Sequence, residues 1–360
     1  MAVVLGAVRL QQQAAHRPAW AGTEDPKSAL GSQVFEGFVA IDGHAHRAAA
    51  MRDWLRGDDP GGEKLHAFLA GDHHPTTLTV PFATAVMSLT GLAIPWSYFV
   101  VVVALFLLTV HTAGRLAVMG LPGPVTFDAY ALAGSLVALH VTTTRTVGLL
   151  ILDWAVALST VAVACCAVQW SRTGATRHWV GMLLCLLLGL FTKVSALPLC
   201  CLPPLVLFAV RGTHRVPFAA FIASAGPGLL AIAAASAWSA WIADASLLGR
   251  DTGHLLGTRV RPIEFGIEML LLGQFLPLLA WRARPWTAFV RWLAVGVVLL
   301  LVATAVFRLP STPRLYLPVL VLGVPWLVAA AGSWLADRRV VVVYVVGNLG
   351  LAGLLLWRGA

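Results

Sequence analysis

Long apolar runs separated by short polar stretches make up this chain from residue 76 onward. One of them, WSYFVVVVALFLLTV, starts at Trp96, and about 20 apolar residues in a helix cover a hydrocarbon core of roughly 30 Å. Hydropathy in a window of about 19 residues predicts spans near 76–92, 96–116, 124–142, 149–170, 178–192, 194–210, 216–242, 263–281, 288–307, 314–335 and 340–357. The pattern predicts an all-α polytopic membrane protein with about eleven transmembrane helices.

The N-terminal segment, residues 1–75, has a more polar pattern. Between residues 37 and 59, apolar side chains recur at helical spacing and arginines occupy the other sides: Ala48, Met51 and Leu55 against Arg47, Arg52 and Arg56. This predicts a short amphipathic helix on the membrane surface. We therefore expect an extramembrane segment over 1–75 and one multi-span domain over 76–360.

Composition agrees with a membrane protein. Hydrophobic residues make up 59% of the chain and charged residues 11%, less than half of the roughly 25% charge usual in soluble domains. The net charge of +9 is dispersed over loops, without a basic stripe or a nucleic-acid-binding module, so anionic lipid is the expected partner and no nucleic acid is expected. No Walker loop, GxSxG or GxGxxG motif supports ATP-driven transport or soluble hydrolase chemistry.

Basic residues predict the orientation of the spans. Nine arginines fall in every second loop, which marks one side as cytoplasmic: Arg172, Arg177, Arg211, Arg215, Arg282, Arg284, Arg291, Arg338 and Arg339. The same alternation places Asp153 and Lys193 at the outer face. With His74 also outside, the three intervening runs cannot each cross once, so we expect 124–142 to be broken, re-entrant or split at Gly134.

The charges on the outer side have two interpretations. Arginines at span ends snorkel to lipid headgroups. A long loop near 243–262 that carries His254 and Arg259, beside Lys193, also suits a phosphate, because guanidinium grips phosphate with two parallel hydrogen bonds. Likewise, Asp42 and the stretch Asp72 to His74 are either caps of the helices that follow them or the rim of a pocket.

The order of short motifs along the chain has a known parallel. An acid precedes a surface helix, a His-Pro opens a span, an acid opens another, a lysine lies between two spans, and a tyrosine motif comes late: IDGHAH (41–46), HPT (74–76), GLLILDWAVALS (148–159), GLFTKVSALP (189–198) and RLYLP (314–318). This order resembles that of polyprenyl-phosphate-dependent membrane glycosyltransferases of the GT-C fold, including protein O-mannosyltransferases and lipid A aminoarabinose transferases. The resemblance covers about residues 40–335.

The resemblance implies a polyprenyl-phosphate-linked sugar as donor, a hydroxyl of a lipid, glycan or protein as acceptor, and an active site on the non-cytoplasmic side of a bacterial plasma membrane. It implies that Asp42 is the catalytic base. The substrate-binding residues would be His74, Asp153, Lys193, His254, Arg259 and Tyr316, the pair in HLLGTR (254–259) lying near the lipid phosphate. We expect Asp42, His74, Asp153 and Lys193 to line one outward-facing cavity.

The motifs also depart from the family pattern. Gly43 replaces the usual Glu, and the second Pro after His74 is missing. These families begin with a transmembrane helix, whereas MAVVLGAV has only eight apolar residues, so that helix is expected to be missing. A transporter or flippase and a non-catalytic envelope subunit remain alternatives. His-x-His after Asp42 is a weak divalent-metal pattern, and neither a metal site nor a cofactor is predicted.

Overall fold

Amphipathic and uniformly apolar helices account for the regular structure of the described chain. The computed structural model describes residues 44–71, 76–119, 127–140, 152–212, 215–243 and 317–335, with a few residues between 287 and 350. The elements with described bounds are α1 (His44–Arg56), α2 (Glu63–Gly71), α3 (Thr79–Ser88), α4 (Ile94–Met119), α5 (Phe127–Leu139), α6 (Asp153–Thr173), α7 (Thr176–Leu190), a 3₁₀ helix (Val194–Cys201), α8 (Leu202–Arg211), α9 (Phe218–Ala243) and α10 (Leu317–Leu335).

Four stretches among the described residues are long and apolar enough to cross a membrane. They are Trp96–Met119, Asp153–Thr173, Val194–Arg211 and Phe218–Ala243. The third joins the 3₁₀ helix, which contains Pro198, to α8, and α9 continues through Pro227. The chain therefore keeps a helical path at both prolines. Four long apolar helices fit a membrane protein, and the count of eleven stays a prediction.

The central helix of the bundle is α6. Within its apolar window, 72% of the residues are buried, against 28% in α9. It packs against α4, α7, α8 and α10, and Gly174 ends it in the left-handed conformation, with φ of 67°, which only glycine adopts at little cost. Most of the core therefore assembles around one helix.

Six threonine hydroxyls in or next to these helices bond to their own backbone. Each donates to the carbonyl oxygen four residues earlier, as seen for Thr84, Thr109, Thr112, Thr160, Thr173 and Thr192. A hydroxyl bonded in this way leaves no unsatisfied donor in an apolar surrounding.

Side-chain contacts fix the directions of α4, α5 and α6. The ring of Phe106 lies 5.1 Å from that of Trp154 at the start of α6, and the Arg172 guanidinium at its end donates to the Met119 carbonyl at 2.8 Å. Hence α4 and α6 run in the same direction. Helix α5, which lies between them in sequence, runs antiparallel to α4, because Tyr130 packs on Gly114 and Gly134 packs on Val110.

Gly134 lies inside α5, which is continuous through it. The expectation that the run is split there is wrong, because close packing on Val110 explains the glycine without a break. The apolar run 76–92 holds a helix shorter than the predicted span. Its helix α3 has 10 residues, about 15 Å at 1.5 Å per residue, half of the hydrocarbon thickness.

The two ends of the bundle differ in charge, and we call them the Asp153 end and the Arg172 end. The C-terminus of α8 reaches the Arg172 end, where Arg211 donates to the Ser171 carbonyl at 3.0 Å. The start of α9 lies there too, since the Trp179 indole donates to the Ala223 carbonyl. At the opposite end, Phe191 contacts Trp238 near the C-terminus of α9.

Helices α1, α2 and α3 form a layer over the Asp153 end, which we call the cap layer. Helix α1 packs on α3, and α2 packs on the last turns of α9 through Leu69, Ile242 and Ala243. The Asp59 carboxylate caps α2 by accepting hydrogen bonds from the N–H groups of Lys64 and Leu65. The predicted amphipathic helix is thus present as α1.

One side chain of α1 differs from the prediction. Ala48 and Met51 are buried as expected, but Arg47 is also buried, with 1% of its surface exposed. Its guanidinium donates to the Thr77 carbonyl at 2.6 Å. Assigning Arg47 to a polar face was wrong, because its side chain is buried and bonds to a carbonyl 30 positions away inside the protein.

Candidate functional site

An ion pair joins the start of α6 to the segment after α7. The Lys193 ammonium lies 3.1 Å from the Asp153 carboxylate. The two residues are 40 positions apart, and both belong to the Asp153 end of the bundle. Asp153 and Lys193, two residues selected from the sequence motifs, are therefore in direct contact.

The carboxylate is the buried partner. Asp153 has 5% of its side chain exposed, whereas Lys193 has 30%. Asp153 occupies the first turn of α6, where the positive end of the helix dipole and the free backbone N–H groups stabilise a negative charge. Next to it, Trp154 is completely buried and packs its ring against Phe106. The acid is thus held by a helix terminus and a lysine.

The turn that ends α7 positions Lys193. The N–H groups of Thr192 and Lys193 both donate to the Gly189 carbonyl. Lys193 then takes an extended conformation, with φ of −161° and ψ of 136°, at the N-cap of the 3₁₀ helix. Gly189 allows a close approach here, since a Cβ would lie 3.1 Å from both Ala196 Cβ and Ser159 Oγ. Close packing of α6 and α7 therefore brings the lysine to Asp153.

The start of α3 is attached to the same turn. The N–H groups of Leu78 and Thr79 both donate to the Phe191 carbonyl, at 2.7 and 3.0 Å, and the Thr79 hydroxyl reaches the Leu188 carbonyl at 3.4 Å. Phe191 is two residues before Lys193. The chain that follows the His-Pro motif is therefore fixed beside the ion pair by backbone hydrogen bonds.

Helix α1 is tied to this region through Arg47. Its hydrogen bond to Thr77 lies one residue before the bonds from Leu78 and Thr79 to Phe191. Thr76 and Thr77 are both buried. A continuous set of contacts thus runs from α1 through Thr77 and Phe191 to Lys193.

The structure brings together two of the predicted site residues. Asp42, His74, His254, Arg259 and Tyr316 lie outside the described residues, so their membership of the site stays a prediction. The described flanks are informative for two of them: Arg47 follows Asp42 by five positions and Thr77 follows His74 by three. Both flanks belong to the contacts beside Lys193.

Arg47 and Thr77 were not selected from the sequence. Arg47 looked like one of three arginines around an amphipathic helix, and its partner is a backbone carbonyl, which has no sequence signature. The available signal was its position, because an arginine one residue before Ala48, at the start of the apolar stripe, borders the face that packs on the protein.

The Lys193 ammonium group has hydrogen-bond donors that the ion pair does not use. An ammonium group has three N–H donors. The contact with Asp153 uses one of them, and no other hydrogen bond joins the ammonium group to a described residue. Because the lysine is 30% exposed at the side-chain level, an anionic ligand could meet the remaining donors without displacing the carboxylate. The ion pair therefore holds the Lys193 ammonium group in a fixed orientation at the Asp153 end, where it can bind an anion.

Comparison with protein-family models, curated proteins and solved structures finds no match.

Proposed function

We propose that this chain is an integral-membrane glycosyltransferase, which moves a sugar from a polyprenyl-phosphate donor to an acceptor hydroxyl at the Asp153 end. The observation that supports this most directly is the Asp153–Lys193 pair. It combines an oriented, partly exposed ammonium group with direct attachment to the segment after His74, and the sequence resemblance assigns these motifs to one site.

In the proposed reaction the acceptor oxygen attacks the anomeric carbon of the donor sugar. The bond from that carbon to the phosphate oxygen breaks, and polyprenyl phosphate leaves with the electron pair. Asp42 takes the proton of the acceptor hydroxyl. Lys193, with His74, His254 and Arg259, meets the charge that develops on the leaving phosphate. The membrane supplies the donor, and the distribution of arginines in alternate loops supports a site on the non-cytoplasmic side.

Binding of polyprenyl phosphate tests the anion site without knowledge of the sugar. Lys193→Gln is expected to weaken binding to purified protein by about tenfold, since a charge-assisted hydrogen bond contributes about 1.5–3 kcal/mol. Lys64→Gln is the matched control, because Lys64 is an exposed lysine of the cap layer. Equal affinities in Lys193→Gln and the wild type would count against this site.

Asp42 tests the chemistry. Asp42→Asn keeps the volume and the capping ability of Asp but cannot accept a proton, so turnover should fall about 10²–10⁴-fold while the melting temperature stays near that of the wild type. The measurement is release of polyprenyl phosphate from synthetic polyprenyl-phosphate hexose and pentose donors.

If Asp42 is only a helix cap, Asp42→Asn should turn over normally, and only Asp42→Ala should lose stability, by about 1 kcal/mol. A flippase or an envelope subunit predicts a third outcome, in which polyprenyl phosphate binds or fails to bind but no donor releases it. The two variants and the donor assay together separate these functions.

A further inference from the structure

We propose that Arg115 and Arg172 form a binding site for the phosphate of an anionic phospholipid, in the groove between α4 and α6 at the Arg172 end. This site lies at the opposite end of the bundle from the Asp153–Lys193 pair. It is independent of the proposed sugar transfer.

Arg115 borders this groove from α4. It is exposed and lies one helical turn before Met119. Thr112 and Met119, three residues before it and four after it, both contact α6, because their carbonyl oxygens accept hydrogen bonds from the Cys165 thiol and the Arg172 guanidinium. Arg115 therefore borders the side of α4 that packs on α6. No hydrogen bond or ion pair joins it to another described residue, so its donors are available to a ligand.

Arg172 borders the same groove from α6. It follows Cys165 by seven residues, or about two turns, and so lies on the same face of the helix. It is exposed, and one of its amino groups donates to the Met119 carbonyl at 2.8 Å. Arg115 and Met119 are four residues apart on α4, so the Arg115 backbone and the carbonyl that Arg172 bonds lie about 6 Å apart along the helix axis.

Charge at this end favours an anion. Arg177, Arg211 and Arg215 are exposed at the same end. The acidic side chains with described surroundings belong to the cap layer or to the Asp153 end: Asp53, Asp58, Asp59, Glu63 and Asp153. Asp128 begins α5 at the Arg172 end, and its side chain lies outside the described set. Two arginines in one groove bind a phosphate through several parallel hydrogen bonds.

The apolar surface beside the groove favours a lipid over a free anion. Leu107 and Leu108 are 56% and 52% exposed on α4, and His111, bonded to Tyr130, continues this surface toward Arg115. A phospholipid bound here would lay its acyl chains along the leucines while its phosphate sits at the helix ends. Basic grooves between transmembrane helices bind anionic headgroups in this manner.

Titration of the purified protein with phosphatidylglycerol and with phosphatidylcholine of the same chain length tests the site. Wild-type protein should bind phosphatidylglycerol at least about tenfold more tightly. Arg115→Gln should remove most of that preference, whereas Arg115→Lys should keep part of it, because lysine retains the charge but loses the bidentate geometry. Arg177→Gln is the matched control, an equal loss of charge at the same end outside the groove, and should change affinity less than about twofold.

Three results would overturn the proposal. One is wild-type affinity in Arg115→Gln at an unchanged melting temperature. Another is an equal loss in Arg177→Gln, which would indicate a general charge effect. The third is displacement of phosphatidylglycerol by an equal concentration of inorganic phosphate, which would indicate a site for free anions.

Discussion

The two partners of the Asp153–Lys193 pair differ in exposure, and their removal should have unequal effects. Lys193→Met leaves a carboxylate in a site where 5% of the Asp153 side chain is exposed, and a buried charge without its partner is costly. Asp153→Asn leaves an ammonium group that water already reaches. We expect a stability loss of about 2–4 kcal/mol for Lys193→Met and about 1 kcal/mol for Asp153→Asn.

Thermal or denaturant unfolding of the purified protein measures both values. The double variant Asp153→Asn/Lys193→Met should be more stable than Lys193→Met alone, since it removes the uncompensated charge. A larger stability loss in Asp153→Asn than in Lys193→Met would show that the lysine, not the acid, is the group that depends on the pair.

At the residue scale, the sequence predicted some contacts and missed others for a physical reason. Asp153 and Lys193 could be selected because they match two motifs of the family that the sequence resembles, an acid that opens a span and a lysine between two spans. Arg47 could not be placed, because a guanidinium beside an amphipathic stripe fits either solvent or a buried carbonyl. Only the fold, which brings Thr77 to it, decides between them.

At the element scale, packing of α9 on the 3₁₀ helix depends on Gly228. A Cβ at this position would lie 2.7 Å from the Cys200 carbonyl oxygen and 3.1 Å from the Cys200 Cβ. Gly228→Ala should therefore destabilise the protein by about 1–3 kcal/mol, because the backbone of the 3₁₀ helix must move. The melting temperature in detergent measures the effect.

Gly323 in α10 is the matched control. Among the described residues, a Cβ there would meet only Val297, at 3.9 Å. Gly323→Ala should be neutral or stabilising by up to about 1 kcal/mol, since alanine is the better helix former. Similar losses in both variants would mean that the contact with Cys200 has no special role.

Hydropathy located most of these helices but did not predict the length of each one. It predicted 96–116 and 216–242, close to α4 and α9, because length and apolar content alone define such elements. It also predicted a span at 76–92, where α3 ends after Ser88. A window average counts apolar residues, and it does not detect that the N–H groups of Leu78 and Thr79 bond to Phe191.

At the scale of the whole molecule, the arginine distribution predicts orientation. The Arg172 end should face the cytoplasm and the cap layer should face outward. Asp58→Cys in the cap layer should react with a membrane-impermeant maleimide on intact cells, and Thr176→Cys at the Arg172 end should react only after permeabilisation. Both positions are exposed, and the exposed Cys201 is replaced by Ser in both proteins.

Labelling of Thr176→Cys on intact cells would show the opposite orientation and contradict a non-cytoplasmic active site.

The sequence predicted which charges share an end of the bundle, since alternate loops must lie together. It did not predict that α4 and α6 run parallel to each other, or that α5, which connects them in sequence, runs antiparallel to α4. That arrangement follows from contacts such as Gly114 with Tyr130, and the spacing of single residues does not encode it.

The buried Arg47 also affects how a protease meets this protein. Trypsin must draw an arginine or lysine side chain, with several residues of extended backbone, into its active site. Arg56 and Lys64 are exposed around the turn between α1 and α2, so the native protein should be nicked there. Arg47, 1% exposed and bonded to Thr77, should resist until α1 leaves α3. The rate of cleavage after Arg47 would therefore report how often the cap layer opens.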